Sequence, residues 1–181
     1  MTTIAYKEGL LMADGCTSDD DGQYKRGTVD KVYRLKTAHK GKVIYWAGAG
    51  DEGLDHTIEE WLLAEYEQQE PTIQFPEKAD FEVIAVFPNH KVGYINSKNR
   101  VFEYWKADYW AAGSGGDFAL GAMAAGADAI GAVFAAIKHS FGSSEPVQGY
   151  NVLTGELIKY ETERHWRELH NPSQEDVRTG E

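Results

Sequence analysis

The chain has 181 residues, 42% of them hydrophobic and 26% charged, the size and make-up of one globular domain with a substantial core. That composition excludes disorder for most of its length, and a formal net charge of -11 argues against nucleic-acid or anionic-membrane partners, which are held largely by Lys and Arg. A single cysteine, Cys16, excludes an internal disulfide and fits a reducing cytoplasm.

The chain opens "MTTIAYKEGLLMADG", without the basic start, apolar stretch and cleavage site of an export signal, so the mature protein is expected to begin at Met1 or Thr2. Ile4 and Tyr6, then Leu10 and Met12, alternate as two short strands, with Lys7-Glu8-Gly9 as the turn. "CTSDDDGQYKRGT", residues 16–28, reads as loop from its Asp and Gly content. Asp19, Asp20 and Asp21 lack the spacing of a calcium loop and read as a solvated acidic turn. Strands are expected at 31–36 and 42–47. Leu54, Ile58, Trp61 and Leu62 then form one apolar stripe on an acidic helix, with His56 beside it as a surface residue.

After the proline-marked "PTIQFPEKAD", the runs "FEVIAVFP", "VGYINS" and "RVFEYW" read as an antiparallel meander, and "DYWAAGSGG" leads from a last strand into small-residue helices. Residues 118–137 have the length of a membrane span, but Asp128 at the centre costs about 2.5–3.5 kcal/mol there, and Ala and Gly bring little apolar area to offset it. Two packed helices, 117–125 and 128–139, fit better: Ile130, Val133, Phe134 and Ile137 have the spacing of a buried face. "PVQGYNVL" and "ELIKYE" are two further strands, and "TERHWRELH" is expected to make a helical turn. His165 and His170, five apart, do not share one helical face, so no metal is expected there. Strands, helix, strands, two helices and strands give an α+β layered sandwich of two antiparallel sheets with helices outside. One domain is expected over 1–160, with a polar C-terminal tail at 161–181.

The chain has no G-x-S-x-G elbow, H-E-x-x-H or P-loop. That leaves Thr2. Freed of Met1, it carries a hydroxyl and an α-amine on one residue, and an amine with an ordinary pKa of about 7.7–8.0 is a recognised base for threonine.

Four stretches add company: "TTIAYKEGLLMADG" at 2–15, "VDKVYRL" at 29–35, "WAGAGD" at 46–51 and "WAAGSGGDFALGAMAAGAD" at 110–128. In this order they resemble the proteasome β-subunits and HslV-type peptidases, N-terminal-nucleophile hydrolases, and look closest to small phage and bacterial members. The resemblance covers residues 2–150. It implies a four-layer αββα sandwich and a threonine peptidase acting on peptides or unfolded proteins through an acyl-Thr2 ester. It also implies a cytoplasmic homo-oligomeric ring, an ATPase unfoldase as a possible partner, and no cofactor.

By position, the resemblance makes Thr2 the nucleophile, Asp14 a buried acid, Lys31 a cation beside the Thr2 hydroxyl and Gly48 an oxyanion donor through its N–H. Ser114 would bond the Thr2 amine, and Ser143 matches a serine near the nucleophile. Trp46 falls where the family lines its specificity pocket. Ser140 stands where proteasome subunits commonly have an Asp. Each residue also has an ordinary reading: Asp14 as a turn former before Gly15, Lys31 as a surface lysine, Gly48 as a tight turn, Ser114 as a helix cap and Trp46 as core. Two other functions stay open, a catalytically silent ring subunit with an assembly or binding role and a small-molecule amidase.

Overall fold

In the computed structural model, which describes residues 2–18, 25–105, 108–140 and 142–170, the opening strands pair as their alternation predicts. β1 (Ile4–Lys7) and β2 (Leu10–Asp14) run antiparallel with Ile4 opposite Ala13 and Lys7 opposite Leu10, so Lys7 closes the strand instead of entering the turn. The chain reverses at Glu8 and Gly9, whose φ angles of 50° and 86° are the left-handed pair a two-residue hairpin loop needs.

The segment read as loop is not all loop. β3 (Cys16–Ser18) and β4 (Lys25–Thr28) pair as a two-stranded antiparallel ribbon, Cys16 opposite Thr28. This ribbon belongs to neither large sheet, and its sequence carries no apolar alternation to announce it. Asp19, Asp20 and Asp21 lie outside the described residues.

One five-stranded sheet holds β5 (Val32–Lys36), β6 (Val43–Gly50), β7 (Phe81–Val86), β8 (Val92–Asn96) and β9 (Glu103–Trp105) in chain order. The other is ordered β10 (Tyr109–Ala112), β1, β2, β11 (Val147–Asn151) and β12 (Glu156–Tyr160). All neighbours are antiparallel. β6 outruns its expected end at Ala47 because Gly48, Ala49 and Gly50 continue the ladder opposite Val83, Glu82 and Phe81.

Period-two alternation sorts the side chains into layers. Tyr45 and Ala47 of β6 face the opposite sheet with Ile4, Leu11, Ala13 and Ile84, whereas Ile44 and Trp46 face α1 (Asp55–Glu67) with Leu54, Ile58 and Leu62. Ala5 and Met12 pack outward against α2 (Gly116–Ala124) and α3 (Ala129–His139) with Met123, Ile130 and Phe134. The result is a four-layer αββα sandwich. Asp128 caps α3, accepting the Gly131 N–H at 2.7 Å, and Gly126 (φ 104°) turns the chain between the two helices. Among the described residues no helix is long and apolar enough to cross a membrane.

α4 (Glu163–His170) follows β12, and its Trp166 ring lies 5.6 Å from that of Phe134. The His165 and His170 rings both meet Tyr160, at 6.0 and 5.9 Å. Among the described residues no group of His, Cys, Asp and Glu could hold a metal ion.

Candidate active site

Thr2 and Thr3 lead into β1, and successive residues of an extended chain face opposite ways. Thr2 meets the loop between β10 and α2. Its N–H donates to the Ser114 hydroxyl at 3.3 Å, and its carbonyl accepts the Gly115 N–H at 3.4 Å and the Ser114 hydroxyl at 3.4 Å. Ser114 does not cap α2: the cap position is Gly115, with no side-chain bond to the helix. The glycines explain how the loop comes so close. A Cβ on Gly113 (φ 80°) would lie 2.2 Å from the Thr2 carbonyl oxygen, and one on Gly115 would lie 1.9 Å from the Thr3 hydroxyl.

Thr3 sits opposite Asp14 in the β1–β2 register, and its N–H donates to Asp14 Oδ1 at 2.7 Å. The same oxygen accepts from Lys31 Nζ at 3.2 Å, while Oδ2 accepts the N–H groups of Cys16 at 3.0 Å and Ser144 at 3.1 Å. Asp14 is fully buried at the end of β2 and joins the N-terminus, the β3 ribbon, Lys31 and the segment after α3. It is no turn former. Lys31 is likewise buried, just before β5. Burial pushes its ammonium below the ordinary lysine range, and the neighbouring Asp14 pulls it back up.

The remaining sequence candidates divide. The Ser143 hydroxyl is buried 2.6 Å from that of Thr3. The Gly48 N–H donates to the Lys31 carbonyl at 3.4 Å, so Gly48 lies beside Lys31 on the neighbouring strand. Trp46 is fully buried on the α1 side, stacked on Tyr33 with centroids 4.4 Å apart, which makes it a core residue. Ser140 ends α3 and accepts the Gly142 N–H at 3.4 Å. Thr3 is the residue that sequence reasoning missed. Its hydroxyl reaches Ser143, its amide reaches Asp14, and its peptide bond leads to Thr2.

Two antiparallel sheets between helical layers, with Thr2 and Thr3 leading into the first strand, make an HslV-like sandwich fold. Solved structures share it. Eukaryotic HslV from Trypanosoma brucei matches with a TM-score of 0.58 and 17% identity over 88% of this chain and 100% of that one. Anbu, an ancestral β-subunit, from Yersinia bercovieri matches at 0.60 and 10% over 94% and 91%. Anbu from Hyphomicrobium sp. strain MC1 matches at 0.62 and 10% over 98% and 95%. At these identities the likeness defines the fold, and it extends over nearly the whole of each chain. No protein-family model and no curated protein matches the chain.

Proposed function

We propose that the chain is a threonine-type amide hydrolase, a peptidase that acts through Thr2 once Met1 has been removed. The observation that carries this reading is the fixation of Thr2 and Thr3 at three points: Ser114 on the Thr2 nitrogen, Gly115 on its carbonyl, and the Asp14–Lys31 pair on the next amide. Met1 lies outside the described residues.

With Met1 gone the Thr2 nitrogen is an amine and can take the proton of its own hydroxyl. Oγ then adds to the scissile carbonyl, the C–N bond breaks, and the leaving amine takes that proton. Water cleaves the resulting ester and restores the hydroxyl. Lys31, oriented by Asp14, favours the deprotonated oxygen. Gly48 as an oxyanion donor shares or gives up its long bond to the Lys31 carbonyl. Ser114 orients the amine, and Ser143 holds Thr3. In this reading the substrate is a peptide or unfolded protein and the assembly is a cytoplasmic homo-oligomeric ring, which leaves open whether an ATPase unfoldase feeds it.

The test is turnover of fluorogenic peptides beside intact-mass measurement. Active protein is expected to lack Met1, Thr2→Ala to abolish turnover, Thr2→Ser to keep part of it and Lys31→Ala to remove most. Full turnover by Thr2→Ala, or by protein retaining Met1, overturns the reading, and turnover of small amides alone favours the amidase. A second reading, a ring subunit without turnover, draws support from Ser140, whose hydroxyl serves a local backbone bond where related subunits commonly place an Asp. Light scattering showing only a monomer across the micromolar range counts against both ring readings.

A further inference from the structure

The loop that holds Thr2 springs from one sheet and is tethered to the other. β10 ends at Ala112, and the next N–H, that of Gly113, donates to Glu82 Oε2 at 2.5 Å. Glu82 lies on β7, in the opposite sheet, paired with Ala49 of β6. Its other oxygen accepts the Tyr94 hydroxyl at 2.9 Å. Burial pushes the Tyr94 hydroxyl up to about 12, so it remains a donor through the neutral range. Glu82 is therefore fixed from behind by Tyr94 and grips Gly113 in front.

The position of Gly113 decides that of Ser114. Gly113 packs so closely that an added Cβ would meet both the Thr2 carbonyl and, at 3.3 Å, the Ala49 methyl. The next residue supplies the hydroxyl on the Thr2 nitrogen. The bond from Gly113 to Glu82 is part-buried, so water competes for it less than it would at the surface.

We propose that Glu82 is a positioning residue for the Thr2 site: by holding the Gly113 amide across the gap between the sheets, it sets the Ser114 hydroxyl against the Thr2 nitrogen. Its catalytic consequence rests on the Thr2 reading above, whereas its hold on the loop does not.

The experiment compares Glu82→Ala, Glu82→Asp and Glu82→Gln with wild type by peptide turnover across pH and by hydrogen exchange. Gln keeps a carbonyl for Gly113 and can turn its amide toward the Tyr94 oxygen, so it is expected to stay near wild type. Ala removes the acceptor and Asp withdraws it by one methylene. Both are expected to lower kcat by roughly 10- to 100-fold, the scale of a 1 Å misplacement, with KM little changed. Both should also shift the acid limb of the pH profile, because Ser114 no longer meets the amine. Amide exchange at 113–115 is expected to quicken in Ala and Asp while exchange in β6 and β7 holds. Unchanged kcat and pH profile in Ala or Asp overturns the proposal, as does exchange that quickens equally throughout the chain. If wild type itself shows no turnover, the Thr2 reading fails, and exchange at 113–115 still decides whether Glu82 holds the loop.

Discussion

The Thr3 hydroxyl lies 2.6 Å from the Ser143 hydroxyl, and both residues are buried. This contact fastens the start of β1 to the segment that follows α3, while the Thr3 amide is anchored on Asp14. The adjacent threonines thus meet different partners, Thr2 the Ser114 hydroxyl and Thr3 the Ser143 hydroxyl and Asp14. Thr3→Val keeps the shape and removes the hydroxyl, and is expected to cost about 1–2 kcal/mol in urea denaturation. Thr2→Ala, which leaves the Thr2 backbone bonds in place, is expected to change stability by less. Equal losses in the two variants would assign both residues to the fold alone.

Asp14 accepts three backbone N–H groups besides the Lys31 ammonium. Removing one partner of a buried pair leaves the other charge uncompensated. Asp14→Asn is expected to cost about 3–5 kcal/mol of stability. Adding Lys31→Met to that variant should restore part of the loss, because the stranded ammonium is then gone. A double-mutant cycle in urea reads the coupling, and strict additivity would show that the pair does not interact in solution.

Lys31 also gives stability a pH signature. Desolvation lowers its pKa from the ordinary 10.5, opposed by Asp14 and more weakly by Cys16. Below the lowered value both folded and unfolded chains hold the proton. Between that value and 10.5 the unfolded chain binds a proton the folded chain lacks, so this residue makes stability rise with pH across the window. The Tyr33 and Tyr94 hydroxyls, pushed up by burial to about 12 from 10.0, work with opposite sign above their ordinary value. The lysine is therefore read as a difference: as pH climbs from neutral toward 10.5, wild type should gain stability relative to Lys31→Met. Parallel stability curves for the two proteins would contradict the lowered pKa.

The layers were legible wherever an element has a core on at least one side. β1, β2 and β6 to β8 alternate because their two faces meet different layers, and α3 shows its stripe because Ile130, Val133 and Phe134 pack inward. The ribbon of β3 and β4 left no such trace. Nor did the far end of β6, whose glycines have no pattern of their own and are held by β7. At the site, local sequence was weakest where contacts are long-range. Asp14 beside Gly15 reads as a turn and Lys31 as a surface charge until two sheets bring them to 3.2 Å, and only the resemblance to a known family singled them out. Thr3 was within reach of reasoning: pairing Ile4 with Ala13 puts Thr3 opposite Asp14. Glu82 had no signal, since its partner is a backbone amide 31 residues away on the other sheet.

Two glycines near each other in sequence should respond in opposite directions. Gly113 has a φ of 80°, where a side chain is strained, and its added Cβ would lie 2.2 Å from the Thr2 oxygen and 2.9 Å from the Thr2 carbonyl carbon. Neither neighbour is a flexible side-chain tip, so relief means moving the N-terminal backbone or the loop. Gly113→Ala is expected to cost at least about 2 kcal/mol, more than the roughly 1–2 kcal/mol of a left-handed L-residue alone. Gly121 lies in α2 with nothing within 4 Å of an added Cβ. There alanine removes backbone freedom from the unfolded chain, and Gly121→Ala is expected to gain up to about 1 kcal/mol. Thermal and urea unfolding of both variants checks the pair. If Thr2 is the nucleophile, only Gly113→Ala should also lose turnover, because only that change displaces the residue. Wild-type stability in Gly113→Ala would mean that the loop does not press on Thr2 in solution, and would remove the contact on which the placement of Ser114 depends.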